Sequence, residues 1–195
     1  MFKELLFLFK LVSAGDIARR YFVTNGFDGA LTMLGLVIGF LSSNTAVPTT
    51  VVLSACLGAT IALTVSGMVS AYISEAAERK KELRELEQAL AKNMDESAHA
   101  KAAKLAPIFI AAVNGLSPLF ISLLIISPLW LSLSGFSIPL LPLQMSIIIA
   151  FVILFFLGIF IGNISGHFWL WSGLRTLLIA IITAGIIIGV EKLMQ

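Results

Sequence analysis

Apolar positions dominate this chain in five runs, each long enough for a membrane span of about 20 residues. They extend approximately from Tyr21 to Ser42, Pro48 to Ser74, Leu105 to Leu131, Ile138 to Gly162 and Phe168 to Val190. Ahead of the first run, Phe2, Leu5, Leu6, Phe9 and Val12 recur at helical spacing. Residues 2 to about 13 therefore predict an amphipathic helix lying on the membrane surface, ended by Gly15 and Asp16. Lys10 interrupts the run from Leu5 to Phe9, which leaves too short an apolar core for a signal peptide.

The polar positions concentrate in one block, Glu75 to Lys104, between the second and third runs. Glu75 through Ala91 contains no Gly or Pro and is rich in Ala, Glu, Lys, Leu and Arg, all strong helix formers. The second span thus continues out of the membrane as one long helix. Asn93-Met-Asp-Glu96 has the spacing of a capping box and predicts the start of a second helix, which leads through Lys104 into the third span. The block reads as a charged helical hairpin. The other connections are short: Ser43 to Val47, and Ser132 to Ser137.

Composition agrees with this pattern. Hydrophobic residues make up 58% of the 195 residues, and mean hydropathy is +1.01. Charged residues make up 12%, against about 25% in soluble domains. The fold class is an all-α integral membrane protein of five transmembrane helices. It divides into an interfacial segment (1–20), helices 1 and 2 (21–74), a cytoplasmic charged hairpin (75–104) and helices 3 to 5 (105–195). Basic residues set the orientation. Of 13 Lys and Arg, four precede span 1, seven lie between spans 2 and 3, and Arg175 lies near the start of span 5, whereas only Lys192 is at the opposite end. The N-terminus and the hairpin are accordingly cytoplasmic, in a multi-pass protein of the cell membrane. The single cysteine, Cys56, lies within span 2 and forms no intrachain disulfide.

Candidate chemistry begins with Asp28, a carboxylate inside the first apolar run. An acid near the bilayer centre costs roughly 2.5–3.5 kcal/mol on insertion scales, and such a group faces a partner, a cation or a water-filled path. The competing reading is an ordinary interhelical hydrogen bond. Asp28 is about seven residues past the inner end of span 1, roughly 10 Å at 1.5 Å per residue, and Met68 is roughly 9 Å from the inner end of span 2. Asn114 and Arg175 fall near the same level. A carboxylate, a thioether and an amide at one depth suit a borderline divalent ion such as Fe²⁺ or Mn²⁺. Taken singly, Met68 reads as packing, Asn114 as interhelical glue, and Arg175 as a snorkelling cation or the counter-charge of Asp28. In the hairpin, Glu75, Glu78, Glu82 and Glu85 are spaced 3, 4 and 3 residues apart, which stacks four carboxylates on one helix stripe. A cation between them would relieve the repulsion; the alternative is sideways neutralisation by Arg79, Lys81 and Arg84. Gly35/Gly39, Gly158/Gly162/Gly166 and Gly185/Gly189 have the small-xxx-small spacing of close helix contacts. Pro118 and Pro128 predict kinks in span 3.

The run Asn25-Gly-Phe-Asp-Gly-Ala-Leu-Thr32 resembles the first-span signature of the vacuolar iron transporter family. Ser66-Gly-Met-Val-Ser-Ala-Tyr72 with Glu75-Ala-Ala-Glu-Arg-Lys80 is similar to its second span and the start of its metal-binding domain, and Ser172-Gly-Leu-Arg-Thr-Leu-Leu-Ile179 with Ala184-Gly185 is similar to its last span. The resemblance implies a homodimeric exporter of Fe²⁺, Mn²⁺ and related ions that exchanges them for protons. It places Asp28 and Met68 on the translocation path, and Glu78, Glu82 and Glu85 in the ion-gathering region. Three departures stand out. Tyr21 and Tyr72 occupy positions that are often acidic in the family, and the polar block is only about 30 residues long.

Two other functions fit the same residues. One is a transporter or channel for another solute; the second is a non-transporting scaffold that docks a partner on the hairpin. An enzyme does not fit, because the chain has no HExxH, GxSxG, phosphate loop or Cys/His cluster, and His99 and His167 are far apart in sequence. No permanently bound cofactor and no nucleic-acid partner are implied.

Overall fold

A computed structural model of the chain describes residues 7, 8, 10, 12–43, 47–91, 93, 94, 97–136 and 139–194. Five long helices follow one another: α1 (Ala14–Ser42), α2 (Thr49–Leu90), α3 (Ala98–Leu133), α4 (Pro142–Ser165) and α5 (Trp169–Met194). Each contains a stretch long and apolar enough to cross a membrane. No strand occurs among the described residues. The protein is all-helical, as its apolar runs require, and is consistent with a multi-pass membrane protein.

The helix boundaries have local causes. Most of the surface helix expected over residues 2–13 lies outside the described residues. Gly15 and Asp16 do not end it; they sit in the first turn of α1, and the break falls at Ser13, whose φ is +50°. A carboxylate is favoured at that end of a helix, and Asp16 is also 3.3 Å from Arg19. The α2 helix runs without interruption from the apolar run through the charged stretch to Leu90. It stops at Ala91, which takes the left-handed conformation (φ +49°) of a helix C-terminus. The start expected at Asn93 is displaced to Ala98. Asp95 and Glu96 lie outside the described residues, and the Ser97 hydroxyl instead accepts a hydrogen bond from the Ala100 N–H at 3.1 Å. The fourth run becomes helical only from Pro142, later than the expected Ile138, because proline is suited to a first turn that needs no amide donor.

The chain forms two compact units. The first comprises residues 1–25 and 64–117; the second comprises residues 26–63 and 118–195. In the first, Ala14 and Ala18 pack with Ala106 and Ile110. In the second, Met33, Leu34 and Val37 of α1 share a core with Val52 and Cys56 of α2, Ile125 and Leu129 of α3 and Leu154 of α4. Lipid is as apolar as these side chains, so close fit rather than transfer from water holds such helices together. Gly158 and Gly162 show the fit. A Cβ added at Gly158 would meet the Thr176 hydroxyl at 2.1 Å, and one at Gly162 would meet the Ser172 side chain at 2.6 Å. That stripe is a helix contact, as its spacing predicts. Gly166 is not part of it but caps α4 in the left-handed conformation, and Gly185 and Gly189 face open space within the chain.

Candidate functional site

Asp28 belongs to the second unit. The adjacent Gly29 lies directly against α3, where a Cβ would come within 2.9 Å of the Pro118 Cα. This contact gives the Asp-Gly pair a physical meaning: glycine lets two helix backbones meet, and the neighbouring carboxylate is turned to the outside of the chain, where it is exposed. Asp28 makes no hydrogen bond or ion pair among the described residues. Arg175, one of its candidate partners, is exposed and lies 5.8 Å from the centre of the Trp171 ring. The Arg175 counter-charge reading is therefore corrected to a cation–π contact on its own helix.

In the first unit, Met68 and Asn114 do share a level. A Cβ on Gly115 would fall 2.2 Å from the Met68 Cγ and 2.6 Å from the Thr64 carbonyl, so α2 and α3 cross there at backbone contact. Asn114, 2% exposed, donates to the Gly67 carbonyl at 2.7 Å. Its carbonyl oxygen accepts from the Asn25 amide, and Ser117 donates to the Phe22 carbonyl. Each such interhelical bond contributes ~0.6–2 kcal/mol. Met68 is half-buried in this crossing, and its thioether chain fills the notch left by Gly115.

The glutamate stripe is split by a guanidinium. Glu75 and Arg79 are 7% and 8% exposed. Arg79 lies 3.5 Å from Glu75 through Nη2 and 2.5 Å from Glu82 through Nη1. The Tyr21 hydroxyl faces Glu75. Glu85 is 3.9 Å from Lys81, both well exposed, and a pair of that kind contributes little. Glu78 is exposed. The stripe thus carries interleaved cations, the sideways neutralisation that competes with a metal among the carboxylates. Glu82, Glu85, Arg79 and His99 line a cleft of about 580 Å³ with apolar walls that include Ile17 and Leu86. No group of three or more His, Cys, Asp or Glu side chains close enough to hold a metal ion occurs among the described residues.

Comparison with known proteins adds one relative. The chain is 32% identical over 181 residues to the uncharacterized protein MJ0645 of Methanocaldococcus jannaschii, covering 91% of each chain. The chain belongs to that protein's family. No family model matches it. The match extends over nearly the whole length of both chains.

Sequence reasoning passed over the cross-helix bonds of Asn25 and Ser117, and it took Tyr21 as a departure from the family pattern without seeing that it faces Glu75. Asn25 and Tyr21 had a legible signal, since they stand three and seven residues before Asp28 on neighbouring helix positions. Ser117 had none, because a hydroxyl in an apolar helix more often bonds back to its own turn.

Proposed function

We propose that this protein is a divalent metal-ion transporter, exporting Fe²⁺ or Mn²⁺ from the cytoplasm in exchange for protons through a path at the interface of a homodimer. The observation that carries this reading is Asp28: an exposed carboxylate with no partner among the described residues, on a helix apolar enough to lie in a bilayer. Acyl chains do not tolerate such a group. A second copy and the water and ions between the copies would supply what the single chain lacks. The resemblance of residues 25–32 to the vacuolar iron transporter signature supports the same assignment.

In this mechanism the charged segment forms a cytoplasmic helical hairpin after span 2. Glu78 and Glu85, the two most accessible carboxylates of the stripe, collect cations, with Glu75 and Glu82 beside them. Asp28 binds the ion within the membrane, and Met68 offers a soft ligand along the path. Protonation of Asp28 from the far side releases the ion. The decisive experiment is metal-driven proton flux in proteoliposomes with Fe²⁺, Mn²⁺, Co²⁺ and Zn²⁺, with and without a pH gradient. Asp28→Asn is expected to abolish flux while leaving the purified protein folded; undiminished flux would reject the assignment.

A second reading draws on the interleaved charges. With Glu75 and Glu82 both on Arg79, the stripe also suits a scaffold whose hairpin docks a partner. It predicts no ion flux from the wild-type protein under any gradient.

A further inference from the structure

From Leu105 to Val190 the sequence holds a single Asp, Glu, Lys or Arg side chain, that of Arg175. It lies at the end of the second turn of α5. The opposite face of that helix is committed to α4: a Cβ on Gly173 would meet the Phe155 ring at 2.7 Å, and Thr176 donates to the Leu154 carbonyl at 3.0 Å. At about 100° per residue, Trp171, Arg175 and Leu178 share the face turned away from α4, and all three are exposed. The guanidinium leans back toward the start of α5, where its carbon lies 5.8 Å from the centre of the Trp171 ring. Long helical side chains favour that direction. It carries the charge toward the turn between α4 and α5, two helices long and apolar enough to cross a bilayer, and so toward the boundary of lipid and water. No carboxylate pairs with Arg175 among the described residues. The Trp171 ring attracts the cation but does not neutralise it.

We propose that this face of α5 binds an anionic glycerophospholipid, with the phosphate on Arg175 and the acyl chains along Leu178 and Ile182. A guanidinium grips phosphate through two parallel N–H donors. An indole suits the headgroup level, and exposed Leu178 and Ile182 continue the face as hydrocarbon. A zwitterionic headgroup brings its own ammonium beside the phosphate, so a headgroup of net negative charge gains more from Arg175. Charge also decides between lipid and a second copy of the chain. A two-fold contact through this face would bring one Arg175 toward the other, like charge to like. The site is independent of which solute the protein moves.

The test uses full-length protein carrying Trp130→Phe and Trp169→Phe, which leaves Trp171 as the sole tryptophan. It is reconstituted in phosphatidylcholine mixed with dibrominated phosphatidylglycerol or with dibrominated phosphatidylcholine, whose bromines quench a neighbouring indole. Quenching is expected to show a preference of about threefold or more for phosphatidylglycerol. The preference should vanish in Arg175→Gln and persist in Lys192→Gln, at the other end of α5. Equal quenching by the two lipids overturns the proposal, as does a preference that survives Arg175→Gln or falls equally in Lys192→Gln. A Trp171 that neither lipid quenches also overturns it and marks a second copy on this face. Should the tryptophan replacements not fold, native mass spectrometry of wild type and Arg175→Gln from the same membranes decides. Loss of a retained phosphatidylglycerol in the variant supports the site, and equal retention refutes it.

Discussion

At the scale of single residues, polar side chains in apolar helices take one of two forms here. Asn114 is fully engaged, bonded to the Gly67 carbonyl and to Asn25, whereas Asp28 has no partner among the described residues. The first is structural. Asn114→Leu would remove its bonds to the Gly67 carbonyl and the Asn25 amide, at a cost of ~1–3 kcal/mol for the two. A lowered melting temperature in detergent, with any remaining ion flux unchanged per folded molecule, is the expected result. Asp28 was legible because a carboxylate in an apolar run is conspicuous in any sequence. The partner of Asn114 was not, because a backbone carbonyl on another helix has no sequence signature. The same limit applied to Arg79: its i,i+3 and i,i+4 neighbours were visible, but its burial, which turns a surface charge run into an internal ion network, depends on tertiary packing. Removing one member of a buried pair costs ~3–5 kcal/mol, so Glu75→Ala is expected to destabilise far more than Glu78→Ala. Thermal unfolding of the two variants compares them directly.

At the scale of elements, length and helicity followed from composition, while boundaries followed from individual backbone conformations. The continuation of α2 through the charged stretch was readable from its helix formers. Its stop at Ala91 was not, because alanine favours helix and gives no sign of a left-handed residue. That conformation costs an L-residue about 1–2 kcal/mol. Ala91→Gly should relieve part of the strain and raise stability by about 0.5–1 kcal/mol, measured by thermal or denaturant unfolding. The opposite substitution is instructive at the α2–α3 crossing. Gly115→Ala favours helix by ~1 kcal/mol, yet its Cβ would lie 2.6 Å from the Thr64 carbonyl, a backbone atom that cannot rotate away. Overpacking of this kind costs ~1–3 kcal/mol or more, so net destabilisation is expected. If Gly115→Ala proves neutral, the close crossing of α2 and α3 is wrong.

At the scale of the whole molecule, what remains to be argued is which side of the membrane each end faces. Helix packing within a chain is blind to that question, because the same contacts form whichever way the bundle is inserted. The charge distribution is not blind to it. Eleven of the 13 Lys and Arg lie before α1's apolar stretch or between residues 75 and 104, and Lys192 is near the other end of α5. If the basic residues flanking the spans lie on the cytoplasmic side, as such residues do in membrane proteins, five crossings would put Lys192 outside. The buried Arg79 does not weaken this bias, because Lys80, Lys81 and Arg84 beside it remain exposed to the solvent side. In a Cys56→Ser background, Gln88→Cys should react with a membrane-impermeant maleimide only in inside-out vesicles, and Ser43→Cys only in right-side-out ones. The reverse pattern would turn the glutamate stripe toward the outside, where it could not collect ions for export, and Asp28 would then lie on a path for uptake.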